Sequence, residues 1–227
     1  MKRVTAAFVA AAVAVLGAGW ASAQQYFSNV GGAQPWDTTT ANWGAASGGP
    51  YDSVWGSGDA VFEGVAGNVA VGTVSANSLT FSVPAYALTG GVVTLTGPVV
   101  SVAAGTVTNT STLAGTAGLT KTGSGTLVLG GTTNLYSGGT LVSGGTLSVN
   151  SDAQLSAAGE SLTLAGGTFR NTGALNNFYR PITLGAGGGT INLGTWANFY
   201  GAITGGSGLF ASGSDFVLQP NAPNDFG

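Results

Sequence analysis

The chain has no cysteine and no histidine, and charged residues make up only 6% of its 227 positions. Each shortage closes a class of function. Without cysteine there is no disulfide scaffold, no thiolate nucleophile and no thiolate zinc site. A cysteine-free chain also suits a protein that crosses a membrane unfolded, because a premature disulfide would jam it. Without histidine the commonest general base and the commonest metal ligand are gone. Beyond residue 23 the cations are Lys121, Arg170 and Arg180, set against Asp37, Asp52, Asp59, Glu63, Asp152, Glu160, Asp215 and Asp225, a net charge of −5. That balance offers no basic patch for nucleic acid or anionic lipid. Beyond residue 23 no long, glycine-free apolar run could span a bilayer, and no stretch has helical periodicity. What remains is unusual: 41 glycines, a mean hydropathy of +0.34, and solubility left to Thr, Ser, Asn and backbone. This fits neither a disordered tail nor an ordinary helical domain.

The first 23 residues have the layout of an export signal. Lys2 and Arg3 form a charged start, Thr5 to Gly19 is an apolar stretch of mostly Ala and Val, and Ala21-Ser22-Ala23 is a small-residue cleavage site. The stretch is short for a membrane anchor of about 20 residues. The expectation is therefore a signal peptide over 1–23, with Gln24 as the mature N-terminus.

The most informative feature is a beat. Gly-Thr pairs at Gly105-Thr106, Gly125-Thr126, Gly145-Thr146, Gly167-Thr168 and Gly189-Thr190 each open an alternating apolar run, and the threonines are 20, 20, 22 and 22 residues apart. A fixed period near 21 residues with strand-like alternation predicts a β-solenoid, in which each coil buries its apolar face only by stacking on the next. The expected fold is all-β: a parallel β-helix of 20–22 residues per coil over 73–227, with a Trp-rich, β-rich cap over 24–72. Inward positions include Leu127, Leu129, Leu147, Val149, Phe169, Ile191 and Leu193. Seven coils at the interstrand spacing make a rod roughly 30–35 Å long. A second element keeps the same register. Asn134-Leu135-Tyr136, Asn177-Phe178-Tyr179 and Asn198-Phe199-Tyr200 place Asn eight or nine residues after the repeat Thr, where it suits a tight corner. The aromatic two residues on is expected to turn inward and stack on its counterpart.

Chemistry is sparse. Lys121, Arg170 and Arg180 fall at different phases of the repeat and do not line up on one face. Asp152 and Glu160 share a coil but sit on different sides of it and are expected to be solvated. A hydrolytic carboxylate pair would have to come from Asp37, Asp52, Asp59 or Glu63, and four acids in a turn-rich segment are more simply turn formers. Gly56-Ser57-Gly58-Asp59 has a faint likeness to calcium-binding nonapeptides, but it occurs once and without their spacing. No catalytic residue, metal or cofactor is expected. Trp36, Trp43 and Trp55 are the one ligand candidate. They are expected to plug the end of the solenoid, with an exposed sugar-stacking platform as the alternative.

The run from Gly118 to Gly130 (GLTKTGSGTLVLG), then Asn134 to Thr140 (NLYSGGT) and Gly144 to Asn150 (GGTLSVN), resembles the autotransporter-associated β-strand repeat of bacterial type V passengers, most specifically over 118–156. Trp36 to Trp43 (WDTTTANW), followed by Gly58 to Phe62 (GDAVF), is similar to the opening of such proteins. The resemblance implies a right-handed β-helical passenger on or beyond the outer membrane, and it brings no catalytic residues. Phe216 to Leu218 and Asn224 to Phe226 parallel Leu127 to Leu129 and Asn134 to Tyr136, so the sequence stops within a repeat. The expectation is an exported, non-enzymatic stalk or adhesin whose partner is a surface glycan or protein receptor, with a translocator or anchor following residue 227. The alternative is a carbohydrate-binding or carbohydrate-cleaving β-helix.

Overall fold

The computed structural model describes residues 23–219 other than 31 and 174–176, together with the backbone of 225–226. Residues 1–22, and with them nearly all of the expected signal peptide, lie outside the described residues. The rest is strand, turn and corner. Among the described residues there is no α-helix, and a single 3-10 turn spans Asp152–Gln154. No helix among them is long and apolar enough to cross a membrane.

The chain coils through three faces in turn. One coil, for example, runs through Val99–Val102, Thr106–Asn109 and Thr112–Gly115, then returns to the first face at Leu119–Thr122. Apart from Trp43–Gly44, each strand pairs in parallel with a counterpart one coil away. The five repeat threonines stand in direct register, Thr106 on Thr126, Thr126 on Thr146, Thr146 on Thr168 and Thr168 on Thr190. The sequence beat is therefore the coil itself.

Alternation decides what is inside. Within Thr126–Leu129 the residues Leu127 and Leu129 are buried, while Thr126 and Val128 are half-exposed. All seven predicted inward residues are buried. Burying each such side chain stabilises the fold by about 1.5–3 kcal/mol, and the stack repeats the gain coil after coil. Inward aromatics form axial columns: Phe62 stacks on Phe81 at 4.6 Å, and Phe199 on Phe216 at 4.4 Å. Corners need glycine at specific points. Gly145 has φ of +58°, and a Cβ there would stand 2.3 Å from the Gly125 carbonyl oxygen. Any side chain would both strain the backbone and force the coils apart. Two corners use a buried Asn instead. Asn109 and Asn171 take inward positions held elsewhere by Leu or Val, and each donates from Nδ2 to a carbonyl two residues ahead, at Ser111 and Gly173.

Three findings depart from the sequence expectations. The stack begins earlier than residue 73. Gln24–Phe27 already pairs in parallel with Asp59–Phe62, and Gln34–Trp36 with Asn68–Val71. The second sheet thus has nine strands among the described residues, a rod of about 38 Å at the interstrand spacing. Residues 37–58 are a long insertion in the first coil that folds over its end, where Trp43–Gly44 runs antiparallel to the first strand. The inward aromatic of the Asn-x-aromatic triplets also shifts by one residue. Tyr136 is buried as expected, but in the other two triplets Phe178 and Phe199 point inward, and Tyr179 and Tyr200 are 66% and 40% exposed. The tyrosines still stack on each other, but on the outside. Third, the last face is broken. Its strands form a group of four ending at Leu135–Tyr136 and a group of three starting at Asn177–Phe178. The coil between them has the 3-10 turn and an irregular loop in that place.

Candidate functional site

Four features hold the polar and aromatic chemistry. The first is the closed end. Trp36, Trp43 and Trp55 are 0%, 0% and 3% exposed and pack edge-on and tilted against one another, with ring centres 4.4–5.5 Å apart. Phe27 and Phe62 complete the cluster. This is the packing of a plug. A sugar-stacking platform needs accessible indole faces, and Trp36 and Trp43 have none. The nearby acids are taken up by structural hydrogen bonds. Asp37 Oδ1 accepts from the Thr39 and Thr40 N–H groups at 2.8 and 2.6 Å, and the Thr40 and then the Thr39 amide hold its carboxyl below the usual range. Glu63 ties the insertion to the stack through Ser47, the Gly48 N–H and the Tyr51 hydroxyl. Asp59, from the calcium-like tetrapeptide, accepts from Asn77 and Ser78. Among the described residues no group of three or more acidic, His or Cys side chains could hold a metal ion.

The second feature is Lys121. Strand alternation points it inward, level with Val100 and Val142 on the neighbouring coils. It is fully buried, and its Nζ bends to the corner and donates to the carbonyls of Thr122, Gly123 and Gly144 at 2.7, 3.0 and 3.2 Å. Burial draws its pKa down to about 8. Three carbonyls satisfy its three N–H donors, so the ammonium closes a corner and presents nothing to solvent.

The third feature fills the break in the last face. Arg180 is 3% exposed, and its Nε donates to Asp152 Oδ1 at 2.6 Å. Its two terminal nitrogens bond the carbonyls of Asp152, Ser156, Ala157 and Glu160 and the Ser156 hydroxyl. The guanidinium thereby replaces the missing strand pairing of loop 152–160. Asp152 is therefore not simply solvated, contrary to the sequence expectation. Spacing could not reveal this pair, because the partners sit 28 residues apart, on different coils. Asn134 and Gln154 finish the break: Asn134 accepts from the Leu113 N–H and donates to the Gln154 carbonyl, and the Gln154 amide bonds the Gly131 carbonyl. Beside them lies an open cleft of about 410 Å³, walled by Leu135, Ala153, Ala157 and Ala158, with Asp152 and Arg180 at its polar side.

The fourth feature is the outer surface of the second sheet. Four of the five repeat threonines, Thr126, Thr146, Thr168 and Thr190, line a shallow groove of about 480 Å³ with Arg170, Asn192 and Ser212. Arg170 is the one exposed cation among the described residues.

Fold and polar sites together define a parallel β-solenoid in which buried charge secures corners. Residues 119–149 match the Passenger-associated-transport-repeat family. The matched segment covers a whole coil, from Leu119–Thr122 to Thr146–Val149, and includes Lys121. Match and stacked coils fit an autotransporter passenger repeat protein, the resemblance carried by residues 118–156. That family implies an exported or surface protein. No curated protein and no solved structure matches the chain.

Proposed function

We propose that the chain is a non-enzymatic passenger segment, a stiff rod that holds other parts of an exported protein away from the cell surface or mediates adhesion. The observation that carries this reading is the use made of the charged groups. Lys121 and Arg180 are consumed in corners and loop closure, Asp37 in a turn, Asp59 in a coil-to-coil contact and Glu63 in tying down the insertion. The fold invests its sparse ionisable chemistry in rigidity, as a spacer requires. The uninterrupted first and second sheets support the same role, because parallel stacking sets rod length by the number of coils.

The test is surface display of the full chain in a Gram-negative host. The rod reading expects protease and antibody access on intact cells. Deleting the single coil Thr126–Gly145 should keep display and shorten the rod by one interstrand step of about 4.8 Å. Retention in the cytoplasm overturns export, and hydrolytic release of sugar or peptide by the purified chain overturns the non-enzymatic role.

A further inference from the structure

The residue shift at the Asn-x-aromatic triplets leaves an outward surface that its structural role does not explain. Inward packing on the last face is done by Phe178, Ala197, Phe199 and Phe216. The residues alternating with them face out. On the strand Ala197–Phe199 and its flanks these are Trp196, Asn198 and Tyr200, with Trp196 49% and Tyr200 40% exposed. One coil earlier stand Asn177 and Tyr179. The two tyrosine rings lie parallel, 4.9 Å and 16° apart. Between the aromatics runs a chain of amides: Asn198 donates to Asn177 Oδ1 at 3.2 Å and accepts from Gln219 at 2.7 Å.

We infer that this outer face of the last three coils is a binding surface for an uncharged polysaccharide. Aromatic rings on a preformed sheet offer apolar surface to the C–H faces of sugar rings, and they lose little side-chain entropy on binding. The amides bond each other in one direction, so each keeps N–H or lone-pair capacity for sugar hydroxyls. Trp196 and Tyr200 flank the strand Ala197–Phe199, four residues apart, or about 13 Å along extended backbone, a distance that a short run of sugar units bridges with Asn198 beneath its middle. The charge pattern selects the class of sugar. Lys121 and Arg180 are buried, and Arg170 lies on the second sheet, so among the described residues no cation faces this surface to receive an acidic glycan. Asp215, exposed on the adjoining coil, would repel one. The inference rests on the adhesive half of the proposed function; a chain without this activity is left as a spacer.

The experiment is retention of the full chain on cellulose, chitin and insoluble β-1,3-glucan, with alginate and polygalacturonate as acidic comparisons. Calorimetry then follows with soluble oligosaccharides of the retained polymer. At least one neutral polymer should retain the chain equally at low and high salt. Trp196→Ala and Tyr200→Ala should each weaken binding about tenfold, or about 1.4 kcal/mol, with unchanged melting. Tyr179→Ala should weaken it less, and Trp196→Phe should keep most of it. The inference is overturned if no neutral polymer is retained, if only acidic polymers are retained and salt releases them, or if retention survives Trp196→Ala combined with Tyr200→Ala. Surface display is scored separately, so loss of glycan binding with display intact removes this site and leaves the rod.

Discussion

Aromatic residues at the two ends of the rod do opposite things. In the first two coils Phe27, Trp36 and Phe62 are completely buried, and the insertion 37–58, which contributes the equally buried Trp43, is folded over them. In the last coils Trp196, Tyr179, Tyr200 and Phe210 are 40–73% exposed. Both regions are built on parallel coils of the same stack, apart from Trp43–Gly44, which runs antiparallel in the insertion. The difference lies in strand parity and in the presence of an insertion. An aromatic on the inner parity of a coil, under a folded-over loop, is a plug. An aromatic on the outer parity, with no loop above it, is surface.

Substitution should break this comparison most visibly at the plug. Trp43→Ala removes a buried indole and should cost about 3–5 kcal/mol, read as a lower chemical-denaturation midpoint. A small loss there would mean that the insertion does not seal the coil. Next comes the clamp between the ends. Arg180→Ala leaves Asp152 and several carbonyls unpaired in a part-buried site, an effect of about 3 kcal/mol. Hydrogen exchange should rise in 152–160 first and leave 106–129 protected.

A pH titration sharpens the picture in the middle of the stack. Lys121 titrates near 8 when folded, below its unfolded value of about 10.4. The unfolded chain therefore binds more protons between those values, and stability at this site should rise as pH climbs from 8 towards 10.4. The gain approaches about 2–3 kcal/mol. Lys121→Met should flatten that rise when both proteins are melted across the window. Equal slopes would show that the buried amine stays charged throughout. Buried tyrosines act oppositely near the top of the range. Burial pushes Tyr136 up to about 12, so its unfolded form ionises first. The comparison is thus cleanest below pH 9.5.

The smallest effect belongs to the outer face. Trp196→Ala should change stability by less than about 0.5 kcal/mol, a tenth of the effect at Trp43. The exposed strand Leu209–Gly213 should likewise exchange amide hydrogens faster than Thr126–Leu129. A large loss at Trp196 would mean that it packs like a core residue and that the two ends are alike after all.

Much of this architecture was legible from local pattern. The Gly-Thr beat determined the coil, its period and the parity of Leu127, Leu147, Phe169 and Ile191, because side chains alternate strictly along a strand and coils stack in register. The repeat motif at 118–156 also marked the passenger-type coil. Other features depended on contacts between residues far apart in the chain. The start of the stack at Gln24 rests on pairing across the insertion, with no Gly-Thr signal to announce it. The Arg180–Asp152 clamp joins residues 28 positions apart, and the break in the last face removes the register that would have linked them. The repeat phase of Lys121 showed only that it does not line up with Arg170 and Arg180; its three carbonyl partners come from the corner geometry of two adjacent coils. Tyr179 and Tyr200 faced outward because their neighbours Phe178 and Phe199, with no hydroxyl to satisfy, fill the interior at lower cost. Sequence periodicity thus determined the coil, while tertiary packing decided which of two adjacent aromatics entered it, since only one parity of a strand can face the core.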